Sequence, residues 1–146
     1  MKTSIVDTDM GKPELAEWEQ PYRSALSFLL QASMVAGRHG FVLAADAILK
    51  AVEAMRPLHP SPKLARGLIF IYQDKFAEAA NWLRSDLLKT DPENDMARAF
   101  LAIALHMDGQ MDECRSILLE LFRTGTNEQA LGVAKAVAVE IGLAPQ

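Results

Sequence analysis

The sequence predicts an all-α protein: three helical hairpins in series, closed by one C-terminal capping helix. Three observations carry that reading. Alanine (22) and leucine (19) together far outnumber the 19 valine, isoleucine and threonine residues, a balance that favours helix over sheet. All seven prolines lie at 13, 21, 57, 60, 62, 92 and 145, leaving Pro-free blocks at 22–56, 63–91 and 93–144. Proline inside a helix costs about 3 kcal/mol, so these blocks are where helices can form. Finally, small and apolar residues recur with a 35-residue period, taken up below.

Residues 1–12 carry no pattern and Pro13–Gln20 allows one marginal helical turn, so 1–20 is expected to be flexible or partly helical. A single domain is expected over 21–142. Its first hairpin (about 25–57) runs from Pro21 or Tyr22 to Ala36, breaks at Gly37–Gly40, and returns from Phe41 to Met55. The segment Arg56-Pro57-Leu58-His59-Pro60-Ser61-Pro62 is a stiff connector, with Ser61 expected as N-cap and Pro62 at the first helical position. The second hairpin (about 60–92) pairs a helix ending near Tyr72 with one over Lys75–Lys89. Asp91-Pro92-Glu93-Asn94 breaks the chain before the third (about 95–125), expected as Asp95–Met107 and Met111–Arg123. Gly125 ends that helix. Thr126 and Gln129 have the spacing of a capping box for the final helix, 127–141.

The repeat is read from aligned columns. Phe41, Phe76 and Met111 are spaced by 35, followed by Ala44, Ala79 and Cys114, then Ile48, Leu83 and Leu118, then Val52, Leu87 and Phe122. Upstream stand Ala32, Gly67 and Ala102, then Val35, Phe70 and Leu105, with His39, Asp74 and Gly109 in the turn. Small residues let two helices approach closely, and large apolar ones a turn away interlock across the hairpin. Each unit leaves an apolar face that only a neighbouring unit can bury.

Charge and composition exclude several functions. A formal charge of −4 offers no basic excess for a phosphate backbone, so nucleic-acid binding is not expected. The opening MKTSIVDTDMGK has acids and no apolar core, so no secretory signal is expected, nor is a membrane span; the chain is expected to be cytoplasmic. The single Cys114 fits a reducing compartment and occupies a small-residue column without a neighbouring base, so it reads as core. His39, His59 and His106 share no ligand spacing with acids, and no glycine-rich phosphate loop occurs. No catalytic residue, metal or cofactor is expected, and an enzyme is the least supported reading.

The columns resemble the tetratricopeptide repeat (TPR). The best copy is Gly67-x-x-Phe70 … Asp74-Lys75-Phe76-Ala77-Glu78-Ala79-x-x-x-Leu83 … Asp91-Pro92, followed by Ala102-x-x-Leu105 … Gly109-Gln110-Met111-Asp112-Glu113-Cys114-x-x-x-Leu118. The tryptophan position of that motif holds Phe28, Lys63 and Arg98, and the period is one residue longer, an excess assigned to the linkers. The stretches Leu29-Leu30-Gln31-Ala32 … Ala36-Gly37-Arg38-His39-Gly40, Ala44-Ala45-Asp46-Ala47-Ile48-Leu49 and Val52-Glu53-Ala54-Met55-Arg56-Pro57 are also similar to TPR-like proteins of bacterial type III secretion. Those are the needle-subunit chaperones and a related secretion-protein family of plant pathogens.

That resemblance implies a TPR-like superhelical array from a Gram-negative bacterium. It implies a virulence-linked export chaperone that holds an amphipathic helix of the needle subunit, with a small helical co-chaperone as a second partner. A chaperone of hydrophobic translocator proteins, or a TPR scaffold unrelated to secretion, are the alternatives. In TPR arrays positions 5, 9 and 12 of each first helix face the concave side. Here these are Leu29, Ser33 and Ala36, then Leu64, Leu68 and Ile71, then Ala99, Ile103 and His106, with Leu26, Tyr72, Met96, Phe100 and Met107 as neighbours. Almost none is charged, which argues against a clamp for acidic peptide termini and for a helix-in-groove mode. Leu15 and Trp18 are weighed as a cover for this groove in the absence of a partner.

Overall fold

A computed structural model describes residues 19–143. The expectations for residues 1–18, including the cover by Leu15 and Trp18, lie outside the described residues. Within them the chain is all-helical: α1 (Glu19–Arg38), α2 (Val42–Met55), α3 (Ser61–Tyr72), α4 (Phe76–Trp82, continuing into a π turn at Leu83–Leu87), α5 (Asp95–Met107), α6 (Met111–Thr124) and α7 (Glu128–Glu140). No strand occurs among the described residues.

Four of these helices end in one recurring turn. The third residue after α1, α3, α5 or α7 donates its N–H to a carbonyl five residues back: Phe41 to Ala36 (2.8 Å), Lys75 to Phe70 (2.9 Å), Gln110 to Leu105 (2.8 Å) and Leu143 to Ala138 (2.8 Å). Just before each donor stands a residue with positive φ: Gly40 (86°), Asp74 (61°), Gly109 (78°) and Gly142 (76°). This is the Schellman arrangement, in which a left-handed residue lets the chain satisfy carbonyls that the helix end would orphan. The turn residues set the true register. They are spaced by 34, 35 and 33 positions, so the uniform period of 35 read from sequence is corrected.

The correction falls on the first unit, whose turn residue is Gly40 rather than His39. Its second helix buries Ala45, Leu49 and Val52, in place of the expected Ala44 and Ile48. They match Ala79, Leu83 and Leu87 of α4 and Cys114, Leu118 and Leu121 of α6, all buried. Leu83 and Leu87 are four residues apart where Leu49 and Val52 are three apart. The extra residue sits in the π turn, where Leu88 N–H donates to Leu83 O at 2.8 Å, not in a linker. One inserted residue rotates the following side chains, so Leu87 stays on the buried side.

The helices form two layers. α1, α3, α5 and α7 lie side by side, while α2, α4 and α6 cover the seams behind them, and Arg84 of the π turn pairs with Glu113 of α6 at 2.9 Å. Ser33, Gly67 and Ala102, each seven residues before its turn, are the small residues of the first three helices, and all are buried. A Cβ at Gly67 would meet Leu83 Cδ2 at 2.7 Å, and one at Gly37 would meet Ile69 Cγ1 at 2.8 Å. Because Leu83 is itself fully buried, it has little room to move. Gly67→Leu is therefore expected to destabilise by about 3 kcal/mol through overpacking, measurable as a drop in the urea midpoint.

Polar contacts fix the layers to one another. Arg66 on α3 bonds Asp46 (2.7 Å) and approaches Glu53 (3.5 Å) on α2, while its guanidinium lies 5.6 Å from the Trp82 ring centre on α4. Trp82 Nε1 donates to Lys63 O at 2.9 Å. Two caps differ from expectation. Asn127, not Thr126, caps α7 by accepting from Ala130 N–H (2.8 Å), and Ser61 lies within α3, its N–H donating to His59 Nδ1 (3.2 Å).

Candidate partner-binding face

The uncovered side of the first layer carries the candidate site. On α5, Met96, Phe100, Ile103 and Met107 follow one another at spacings of four, three and four, which places them in one stripe. On α3 the corresponding stripe is Leu64, Leu68, Ile71 and Tyr72. Both helices turn their other sides into the core: α5 buries Ala97, Leu101, Ala104 and Leu105, and α3 buries Ala65 and Ile69. The stripes stand next to each other because α3 and α5 pack side by side.

The twelve residues expected to line a groove divide by burial. Tyr72 is 40% exposed and Met107 53%. Leu29, Leu64, Leu68, Ile71, Met96, Phe100, Ile103 and His106 are half-buried, most of them seated on the main hydrophobic cluster with one side left to solvent. Leu26 and Ser33 are buried. Ser33 lies in the helix crossing, its hydroxyl donating to Leu30 O at 2.7 Å, so it contributes nothing to an open face. Ala99, also read as groove-facing, is fully buried.

The register set by Gly40 explains the difference on α1. Residues matching Leu64 and Leu68, ten and six positions before the turn, are Leu30 and Met34, both half-buried. Sequence reasoning placed Leu29 and Ser33 there, one residue early. The left-handed Gly40 was the signal that would have set this correctly.

Chemically the face is apolar and nearly without charge. Leu64, Leu68, Ile71, Met96, Phe100 and Ile103 offer aliphatic, aromatic and thioether surface, and Arg38 stands at the helix position matched to Tyr72 and Met107. His106 Nδ1 is buried with no hydrogen-bond partner among the described residues. Toward the start of α1 and α3 the face ends in a cavity of about 210 Å³ bordered by Arg23, Leu30, Arg56, His59 and Ser61. Burial there, with Arg56 and Arg23 nearby, holds the His59 imidazole below its ordinary value of 6.5.

Cys114 is buried with its thiol 3.4 Å from Ala102 O, and burial pushes that thiol up from its usual range. Among the described residues no three His, Cys, Asp or Glu side chains converge as metal ligands, and no helix is long and apolar enough to cross a membrane.

A buried ion pair ties the third hairpin to α7. Asp95 accepts from Arg98 Nη2 (2.6 Å), Thr126 N–H (2.7 Å) and Asn127 N–H (2.9 Å), while Arg98 Nη1 donates to Thr124 Oγ1 (3.0 Å). Burial pushes the Asp95 carboxyl up, but Arg98 and the two backbone donors outweigh it and hold the group below 3.8.

Comparison with known proteins gives one family match. The model of the bacterial type III secretion protein family HrpB1_HrpK matches residues 17–141, all seven helices included. No curated protein and no solved structure matches the chain.

Proposed function

The chain belongs to the bacterial type III secretion protein family HrpB1_HrpK, and from that premise we propose that it is a non-enzymatic binding protein of the secretion system. It takes the apolar side of an amphipathic helix from an export substrate, acting as chaperone or adaptor, with the needle subunit as the favoured substrate. A chaperone of this kind works in the cytoplasm, before export.

The observation that carries the reading is the pair of stripes Leu64–Leu68–Ile71–Tyr72 and Met96–Phe100–Ile103–Met107, side by side and chargeless. An apolar surface of that kind, backed by a packed core, suits the hydrophobic side of a helix. Methionines at both ends of the α5 stripe adapt to irregular side chains. The four turns recurring at 34, 35 and 33 residues support reading the fold as a TPR-like array, with these stripes on its concave side.

The test is co-expression with a needle subunit of the same secretion system, followed by size exclusion. Co-elution of the two chains as one soluble species is expected. A needle subunit that elutes or aggregates by itself while this chain stays monomeric would remove the substrate assignment.

A further inference from the structure

The cavity where the apolar face ends has a lining of two kinds. Leu26 and Leu30 of α1, Val52 of α2 and Pro62 of α3 form its apolar part. Leu26, Val52 and Pro62 are buried and Leu30 is half-buried, so the packing of three helices holds this part in place. Arg23, Arg56 and His59 border it, together with Ser27 and Ser61. At about 210 Å³ the cavity exceeds the roughly 150 Å³ that takes a benzene ring in an apolar core, which leaves room for a branched aliphatic side chain and one carboxylate.

The charge along this lining has a single sign. Among the described residues no aspartate or glutamate lines the cavity. Glu53, three residues before Arg56, turns instead to Arg66 of α3 at 3.5 Å, and Asp46 is taken by Arg66 (2.7 Å) and Lys50 (3.2 Å). No carboxylate among the described side chains pairs with Arg23 or Arg56. Burial and the charges of both arginines hold the His59 imidazole below its ordinary value, so the two guanidiniums act on one recess. A cleft of one charge sign with apolar walls concentrates the opposite ion. His59 Nδ1 accepts from Ser61 N–H at 3.2 Å, which leaves the proton of the neutral ring on Nε2 as a further donor. The connector between α4 and α5 carries Asp91 and Glu93 in place of Arg56 and His59, so the fold itself does not call for cations there.

An inorganic anion would satisfy the arginines and leave the apolar part bare. An aspartate or glutamate side chain brings its polar backbone close behind the carboxylate. A chain-terminal leucine, isoleucine or valine carries a carboxylate and an aliphatic group on one Cα, and guanidinium takes a carboxylate through paired N–H donors. We propose that the cavity binds the C-terminal aliphatic residue of a partner polypeptide, its carboxylate held by Arg23 and Arg56 and its side chain seated on Leu26, Leu30, Val52 and Pro62. The site stands whether or not a helix occupies the α3–α5 stripes.

The experiment follows fluorescence anisotropy as the full chain is added to a labelled glycine–serine peptide ending in leucine with a free carboxylate. Two matched peptides end in leucine amide and in serine with a free carboxylate. The first peptide is expected to bind at least about ten-fold more tightly than either of the others. Arg23→Gln and Arg56→Gln should each weaken it by about ten-fold with circular dichroism unchanged, and Arg56→Lys by less. Met107→Ser, on the apolar face, leaves it unchanged. Equal affinity for the three peptides, no binding, indifference to both glutamine variants, or loss on Met107→Ser would overturn the proposal. Displacement by inorganic phosphate as readily as by N-acetyl-leucine would overturn it too, assigning the cavity to anions in general. So would binding that emerges only after residues 1–18 are removed, which assigns it to the chain's own start.

Discussion

Asp95→Ala is expected to destabilise the folded chain by about 3–5 kcal/mol, the cost of leaving a buried partner charge uncompensated. Arg98 is 6% exposed and would keep only Thr124 Oγ1 as an acceptor, while the N–H groups of Thr126 and Asn127 would lose theirs. The damage should concentrate at the joint between α5 and α7, seen as faster amide exchange there before global unfolding. Replacing both members, Asp95→Ala with Arg98→Met, should recover part of the loss, because an apolar pair leaves no buried charge. The same carboxyl gives a pH dependence. Its folded value lies below the ordinary 3.8, so its stabilisation is fully present above that value and disappears as pH falls through the lower, folded one. Urea unfolding between pH 7 and pH 3 should show wild type losing stability toward acid more steeply than the double variant.

The second large effect is on binding. Leu68→Asp or Ile103→Asp sets a carboxylate on the apolar face where the partner helix would lie. Desolvating it there without a partner costs about 3 kcal/mol or more, roughly a hundred-fold in affinity. Both side chains are half-buried, so circular dichroism and thermal unfolding must accompany the binding measurement. Loss of co-purification with helical content intact is the expected result. Loss of fold together with binding would mark these residues as core and remove them from the site.

The elements were legible because their boundaries are written in proline, glycine and capping residues. Asp91-Pro92-Glu93-Asn94 fixed the start of α5 at Asp95, and Asn94 caps it by accepting from Ala97 N–H. The π turn was not legible, since nothing in Leu83–Leu87 marks a change of winding. A uniform period absorbed that extra residue and displaced the first unit by one, which moved the expected site from Leu30 and Met34 to Leu29 and Ser33. The stripes on α3 and α5 were readable because their turns, Asp74 and Gly109, were assigned correctly.

Arg98 illustrates a different gap. In sequence it stood with Phe28 and Lys63 at the tryptophan position of the repeat motif; in the fold it is buried against Asp95, whose other donors lie 31 and 32 residues away. Periodicity tells which side of a helix is inward but not which distant backbone groups arrive there.

Site-specific photo-crosslinking tests the central claim most directly. A photoreactive phenylalanine analogue is placed at position 72 or 107 on the apolar face, or at position 78 or 113 on the outer helices, in chain co-expressed with the needle subunit. The groove reading requires crosslinks to an amphipathic helix of that subunit from 72 and 107 and none from 78 and 113. Crosslinks confined to the outer helices, or none from 72 and 107, would contradict it.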